Sequence, residues 1–509
     1  MFNKNSLATS LLASLVLLGS AAVTHAAPVG EFTDHADIGS PKHSGRANYN
    51  AASQEYLLTA SGTNMWGTRD EFQFAYRKLS GDFILQARIR FIGQGVDPHR
   101  KGGWIVRSSL DAESPYVSAA VHGDGLISQQ TRASKGAQTT QVESTVKGAD
   151  VIQLERRGNK YIFSAARHGE PYTNTEIELD VGAEPYIGLF LCSHNPDVIE
   201  QAVFSNVRII RPAKPDFVPY RDYIGSQLEL LDVETGRREQ IYSSRVPFEA
   251  PNWTADGAAL VYNTSGNDAA TRGRLYRFDL ATRQPALIDT GFAIRNNNDH
   301  VLSFDGSMQG ISDQSTDAGQ STIFVLPARG GVPKRITPLT PSYLHSWSPD
   351  GKSLLYTGGR NGNFDIYKIA ADGTGKEIRL TTDPALDDGP EFTPDGQYIY
   401  FNSARSGTMQ IWRMRPDGSE QTQITKDEFN NWFPHIAPDG KSMVIISYAE
   451  KIEPNEHPYY KRVYLRHLPL SGGTPKVIAY VYGGQGTINV PSWSPDGRSI
   501  AFVSNSDQR

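Results

Sequence analysis

In the second half of the chain, three histidines, two aspartates and several amides cluster at one repeat-related place. His300 and His345 stand five residues before Asp305 and Asp350, where four other repeats carry Pro251, Pro390, Pro434 and Pro491. His435 lies one place further on in its repeat. Asn298, Asp299, Tyr343, Asp388, Trp432 and Asn489 all fall within two residues of the same place. Imidazoles beside carboxylates can hold a divalent metal or move protons, and amides and aromatic rings can grip a sugar or peptide. The same side chains could instead hydrogen-bond backbone as polar plugs of a channel. Four prolines at one position mark where the chain enters an inner strand, so the set is expected at one mouth. His300 and His345 should lie near the axis on neighbouring blades. His435 is expected to face away from His345, because alternate strand residues face opposite sides. Trp432 is read as a ligand-facing indole, since the adjacent Phe433 can supply the packing.

Other motifs carry less. Asp-Gly-Lys-Ser at Asp350 and at Asp439 lacks the upstream glycine of a phosphate loop, and reads as a hairpin turn. Gly-x-Ser-x-Gly and His-Glu-x-x-His are absent. Cys192 has no partner, which excludes an internal disulfide. Trp66, Trp104 and Tyr116 suit either an aromatic sugar platform or core packing.

The elements that must position these residues form two β domains. Six turn motifs recur around Asp256, Asp305, Asp350, Asp395, Asp439 and Asp496, spaced 49, 45, 45, 44 and 57 residues apart. All six share Asp-Gly, and the Ser-Pro-Asp-Gly form at Asp350 and Asp496 suits a type I turn; an apolar strand follows most of them. This period means propeller blades, and six turns imply six blades. The last repeat ends after its inner strands, while residues 227–233 look like an outer strand without an inner partner. Joined, they close the ring and remove an open sheet edge. Residues 30–212 instead read as short alternating strands, such as Phe83 to Phe91, and predict a two-sheet β-sandwich. Residues 213–222, with Pro215 and Pro219, read as a linker to a propeller over 223–509.

The first 26 residues have Lys4, an apolar run from Leu11 to Val23 and small residues before Pro28, the pattern of a secretory signal peptide. After cleavage no membrane insertion is expected, and the location implied is periplasmic or secreted. A net charge of −5 over 509 residues gives no support for nucleic-acid binding.

The Trp-Ser-Pro-Asp-Gly repeats from Pro251 to Asn505 resemble those of the TolB-like propeller proteins of the bacterial periplasm. Asn430 to His435 and Gly484 to Pro491 look like a widespread bacterial group of such proteins. An all-β segment stands where TolB itself has a small α/β domain. That segment, with Gly102-Gly103-Trp104-Ile105-Val106-Arg107, is similar to concanavalin-like jelly rolls. The resemblance implies an all-β fold, a sandwich before a six-bladed propeller, and an exported protein that binds a protein or glycan of the cell envelope. No complete catalytic motif is present and no cofactor is expected, apart from the divalent metal that the histidines could take. Two alternatives stay open: a polysaccharide-active lyase or hydrolase with a His-lined mouth, and a carbohydrate-binding module carried on a scaffold.

Overall fold

The structure is a computed structural model that describes residues 28–508. The leader assigned to residues 1–26 lies outside the described residues. Among the described residues, sixteen strands precede Arg211, and fourteen of them make two seven-stranded sheets. Period-2 alternation builds the layer between these sheets. From the strand Phe83–Phe91, Phe83, Leu85, Ala87 and Ile89 enter one core with Trp104, Val117, Phe163 and Leu189. The alternate residue Ile84 points out of the sandwich and packs with Ile210, Ile224, Tyr459, Tyr460 and Tyr482. That second face is where the two domains meet.

The six repeats fold as a six-bladed propeller. Five blades are four-stranded antiparallel sheets, and their innermost strands are Phe248–Trp253, Asn296–Leu302, Ser342–Trp347, Asp387–Phe392 and Asn430–Ile436. The turn motif works as its chemistry requires. A Ser or Thr hydroxyl at 254, 303, 348, 393 and 494 donates to the turn aspartate at 2.5–2.6 Å. The following glycine takes a positive φ in all six turns, between 67° and 69°, where a Cβ would be strained. The turn tryptophans join blades: the Trp347 indole N–H donates to the Val301 carbonyl, and that of Trp493 to the His435 carbonyl, both at 2.9 Å.

Closure follows the pairing expected from the sequence. Gly225–Asp232 pairs antiparallel with Ser499–Ser506 over its whole length, and Arg238–Ser244 adds the outer strand. Alternate residues of the last strand serve different neighbours. Ile500 and Phe502 join the core containing Leu231 and Trp432, while Ala501 and Val503 pack with Leu228 and Phe248. Closing the ring by its two ends pairs strands that would otherwise stand open and leaves only the short outer strand of each blade as an edge.

The segment after the sandwich is held against the propeller. The Ala213 N–H donates to the Tyr482 hydroxyl at 3.0 Å, and Phe217 meets the Tyr460 ring edge-on at 4.9 Å. Below it a buried charge cluster ties the domains together. Arg208 of the sandwich and Arg238 of the propeller both bind the fully buried Glu229 at 2.6 Å. Burial opposes ionisation of Glu229, but the two guanidinium groups hold its carboxyl down to about 2. Arg462 adds a second cross-domain pair, its Nε donating to Glu155 at 2.8 Å.

Candidate functional site

Each inner strand of the first five blades carries a bulge near its start. The side chains at or just before these bulges face the ring axis, among them Glu249, Asn298, Tyr343 and Asp388. The result is a cavity of about 1000 Å³ at one mouth of the propeller. Five of the six blades contribute the same repeat position to its wall: Glu249, Asn298, Tyr343, Asp388 and Asn489. Asp299 and His345 line it as well, so six of the nine side chains singled out in the sequence share one cavity.

The other three do not line it. His300 is fully buried, with Nε2 3.3 Å from the Val261 carbonyl oxygen of the preceding blade. In its blade the bulge holds two more residues than the opposite strand, from Asn296 to His300. This pushes Asn298 and Asp299 into the cavity and turns the imidazole between blades. Burial brings His300 down to about 4, so it is neutral at pH 7. His435 lies in the interior, bonded through Nδ1 to Glu391 at 2.6 Å and through Nε2 to the Ile488 carbonyl.

Trp432 requires a correction. It occupies the repeat position that lines the cavity elsewhere, yet its indole is fully buried in the core with Val444, Ile446 and Phe502. The cause is the connection 449–460, which returns across the mouth and sets His457 edge-on against the indole at 4.5 Å. The indole is therefore packing. In the sandwich, Trp104 and Tyr116 are likewise fully buried, while Trp66 is 42% exposed, so the three do not form one platform.

The electrostatics of the wall fall into two parts. His345 Nε2 lies 3.1 Å from Asp388, which also accepts from the Thr357 hydroxyl at 2.6 Å and the Gly389 N–H at 2.8 Å. Burial works against the Asp388 charge, but His345 and these donors hold its carboxyl down to about 2. Burial also disfavours imidazolium, yet Asp388, with Asp299 beyond it, raises His345 above its ordinary value. His345 and Asp388 thus form an ion pair, with the imidazole stacked 6.2 Å from the Phe433 ring.

Glu249 and Asp299 make the second part, and among the described residues neither has an arginine or lysine partner. Glu249 accepts from the Tyr459 hydroxyl at 3.2 Å and the Asn298 amide at 3.1 Å. Burial pushes its carboxyl up to about 7 against those neutral donors. Burial also pushes Asp299 up to about 7 against the pull of His345, and the charges of Asp388 and Glu249 add to the rise. Near neutral pH both carboxyls are poised between acid and anion, which is what proton transfer or cation binding requires.

Four participants escape a reading of the repeats. Glu249 sits where the first repeat carries no histidine to mark it. His457, Tyr459 and Gln485 come from the loops after the fifth blade, and the signal for them is the long 57-residue spacing before Asp496. Burial lowers His457 below its ordinary value, against the pull of Asp388 and Gln485. Among the described residues, no three His, Cys, Asp or Glu side chains come close enough to hold a metal ion. The two cavity histidines and their carboxylates fit proton transfer and hydrogen bonding.

Comparison with known proteins places this ring. The model of the TolB beta propeller domain matches residues 341–457. An uncharacterised protein of Agrobacterium fabrum (strain C58) is 43% identical over 279 residues, which span 55% of this chain and 92% of that protein. The chain belongs to the TolB-like β-propeller family. A solved structure from Agrobacterium tumefaciens, named provisionally as a TolB, is 42% identical, with 56% of this chain and 99% of that one covered at a TM-score of 0.52. TolB of Acinetobacter baumannii is similar at 21% identity and a TM-score of 0.40, covering 51% of this chain and 64% of that one. The share of this chain covered by the two Agrobacterium relatives matches the size of the propeller.

Proposed function

We propose that this chain is an exported TolB-like propeller protein that binds a protein or glycan of the cell envelope in the mouth cavity. The observation that carries this reading is the cavity wall itself. One position from five of six blades supplies Glu249, Asn298, Tyr343, Asp388 and Asn489, a polar and aromatic set around a volume of about 1000 Å³. Cavities of that size with a few convergent polar groups are where ligands bind. The leader pattern of the first 26 residues and the family of the propeller support an envelope location. The sandwich, read as a concanavalin-like jelly roll, would carry a second glycan contact.

A polysaccharide-active lyase or hydrolase is the second reading, favoured by the His345–Asp388 pair beside Asp299. An acid poised near 7 next to an imidazole is an arrangement suited to general acid–base chemistry. One experiment separates the two readings. The purified chain is offered a panel of envelope, plant and algal polysaccharides and envelope peptides, and both binding and new reducing ends or unsaturated products are followed. Binding without products supports the first reading, products support the second, and the absence of both contradicts the mouth as a ligand site.

A further inference from the structure

The cavity wall is short of positive charge at its deepest acids. Glu249 and Asp299 are buried, and their close donors are neutral: Tyr459 and Asn298 for Glu249, and Asn297 beside Asp299. The nearby imidazole of His345 is already engaged with Asp388. The cavity-lining arginines, Arg272 and Arg295, are exposed, and neither forms an ion pair with the two acids. Two buried carboxyls without a cation are costly to ionise unless something brings the charge.

A separate observation points the same way. The side-chain carbonyl oxygens of Asn263 and Asn296, both residues of the cavity wall, have no hydrogen-bond donor among the described residues. Asn296 spends its amide on the carbonyls of Gly273 and Ala293, both at 2.9 Å, so the unspent half is an acceptor. Buried acceptors without donors are rare in folded chains and call for an account. The wall therefore offers acceptors and latent anions, with the Tyr343 and Tyr459 rings beside them. A protonated primary amine has three donors, no acceptor, a unit charge and an affinity for aromatic faces.

Resting on the reading of the mouth as a ligand site, we propose that this cavity takes a primary ammonium group, with Asp299 and Glu249 as its counter-ions and the free amide carbonyls as its acceptors. A peptide amino terminus and an amino sugar both present that group. Inserting the cation favours the ionised acids, so a ligand arriving as ammonium displaces their protons to solvent. The other titratable groups facing the same space are Asp388, His345, His457, Tyr343 and Tyr459.

The test uses the full chain and two matched pairs of probes in titration calorimetry. One pair is triglycine amide and N-acetyl-triglycine amide, and the other is the glucosamine trimer and its N-acetylated form. In at least one pair the free amine should bind about tenfold tighter or more, and the pair that does so identifies the source. Asp299→Asn with Glu249→Gln should remove that preference. Repeating the wild-type titration at pH 6 in buffers of different ionisation enthalpy should reveal net proton release, a readout that needs no variant to fold. Equal binding of acetylated and free forms, a preference that survives the double substitution, binding without proton release, or no binding by either amine overturns the ammonium assignment. If the wider polysaccharide and peptide panel still binds, the mouth stands as a ligand site; if it does not, both readings fall.

Discussion

Trp432→Ala tests how the mouth is built. The indole is fully buried, and it packs against Val444, Ile446, Phe502 and Trp493 within the core shared by blades five and six. Truncating a buried tryptophan costs about 3–5 kcal/mol, because the neighbours collapse only partly into the space left. One part of the loss is recovered, since the indole N–H is buried without an acceptor and its removal relieves that penalty. For a domain of this size each kcal/mol lowers the melting temperature by roughly 2 °C, so a fall of about 5–10 °C is expected. Trp432→Phe keeps most of the packing and drops the orphan N–H, and it should cost less than about 1.5 kcal/mol. Differential scanning calorimetry of both variants beside the wild type reads these values. Because His457 rests on the indole and lines the cavity, Trp432→Ala should also weaken ligand binding as a secondary effect. An unchanged melting temperature for Trp432→Ala would refute the packing role and restore the indole to the ligand face.

Asp299 and Glu249 have folded values near 7, above their ordinary ones, so the native state holds protons that the unfolded chain has already lost. Their contribution to stability should decline as pH rises from about 4 to 7, and Asp299→Asn should flatten that decline in denaturant titrations at stepped pH. Asp388 runs the other way: its folded value near 2 adds stability that is present above about 4 and is lost as pH falls toward 2. His345, raised by the same pair, adds stability that is complete below its ordinary value and is lost as pH rises through the raised one. Glu229→Ala leaves Arg208 and Arg238 facing each other in a buried site, and should cost about 3–5 kcal/mol in urea unfolding. Truncation after Arg498 removes the strand that closes the ring, and limited proteolysis should then cut the propeller quickly where the intact chain resists.

The repeats made the propeller legible because Asp-Gly turns carry a fixed local geometry, and its six glycines all take the same backbone conformation. Ring closure was legible for a related reason: an apolar strand without a partner at one end matched a missing strand at the other. The strand Phe83–Phe91 showed its alternation, but not that Ile84 would face a second domain, since periodicity says nothing about what covers the outer face. Within the site, the repeat position placed Asn298, Tyr343, Asp388 and Asn489 together, because a shared register in a symmetric ring puts equivalent residues at equivalent points. His300 and Trp432 escaped that logic. A bulge with two extra residues turned one away, and a long connection from the same blade covered the other. Neither the size of a bulge nor the return path of a loop is written in the residue that it displaces.

Ala385→Trp asks whether ligands bind in the mouth cavity. Ala385 lines the cavity, carries no polar group, and its backbone bond to Asp383 is untouched by the substitution. The indole would intrude on the ligand's space beside Asp388 while leaving Asp299, His345, Asp388 and Glu249 in place. Titration of the polysaccharide and peptide panel should show binding to the wild type and a loss of about tenfold or more in the variant, with the melting temperature unchanged. Binding that persists undiminished in the plugged variant would place the ligand elsewhere on the molecule and contradict the account.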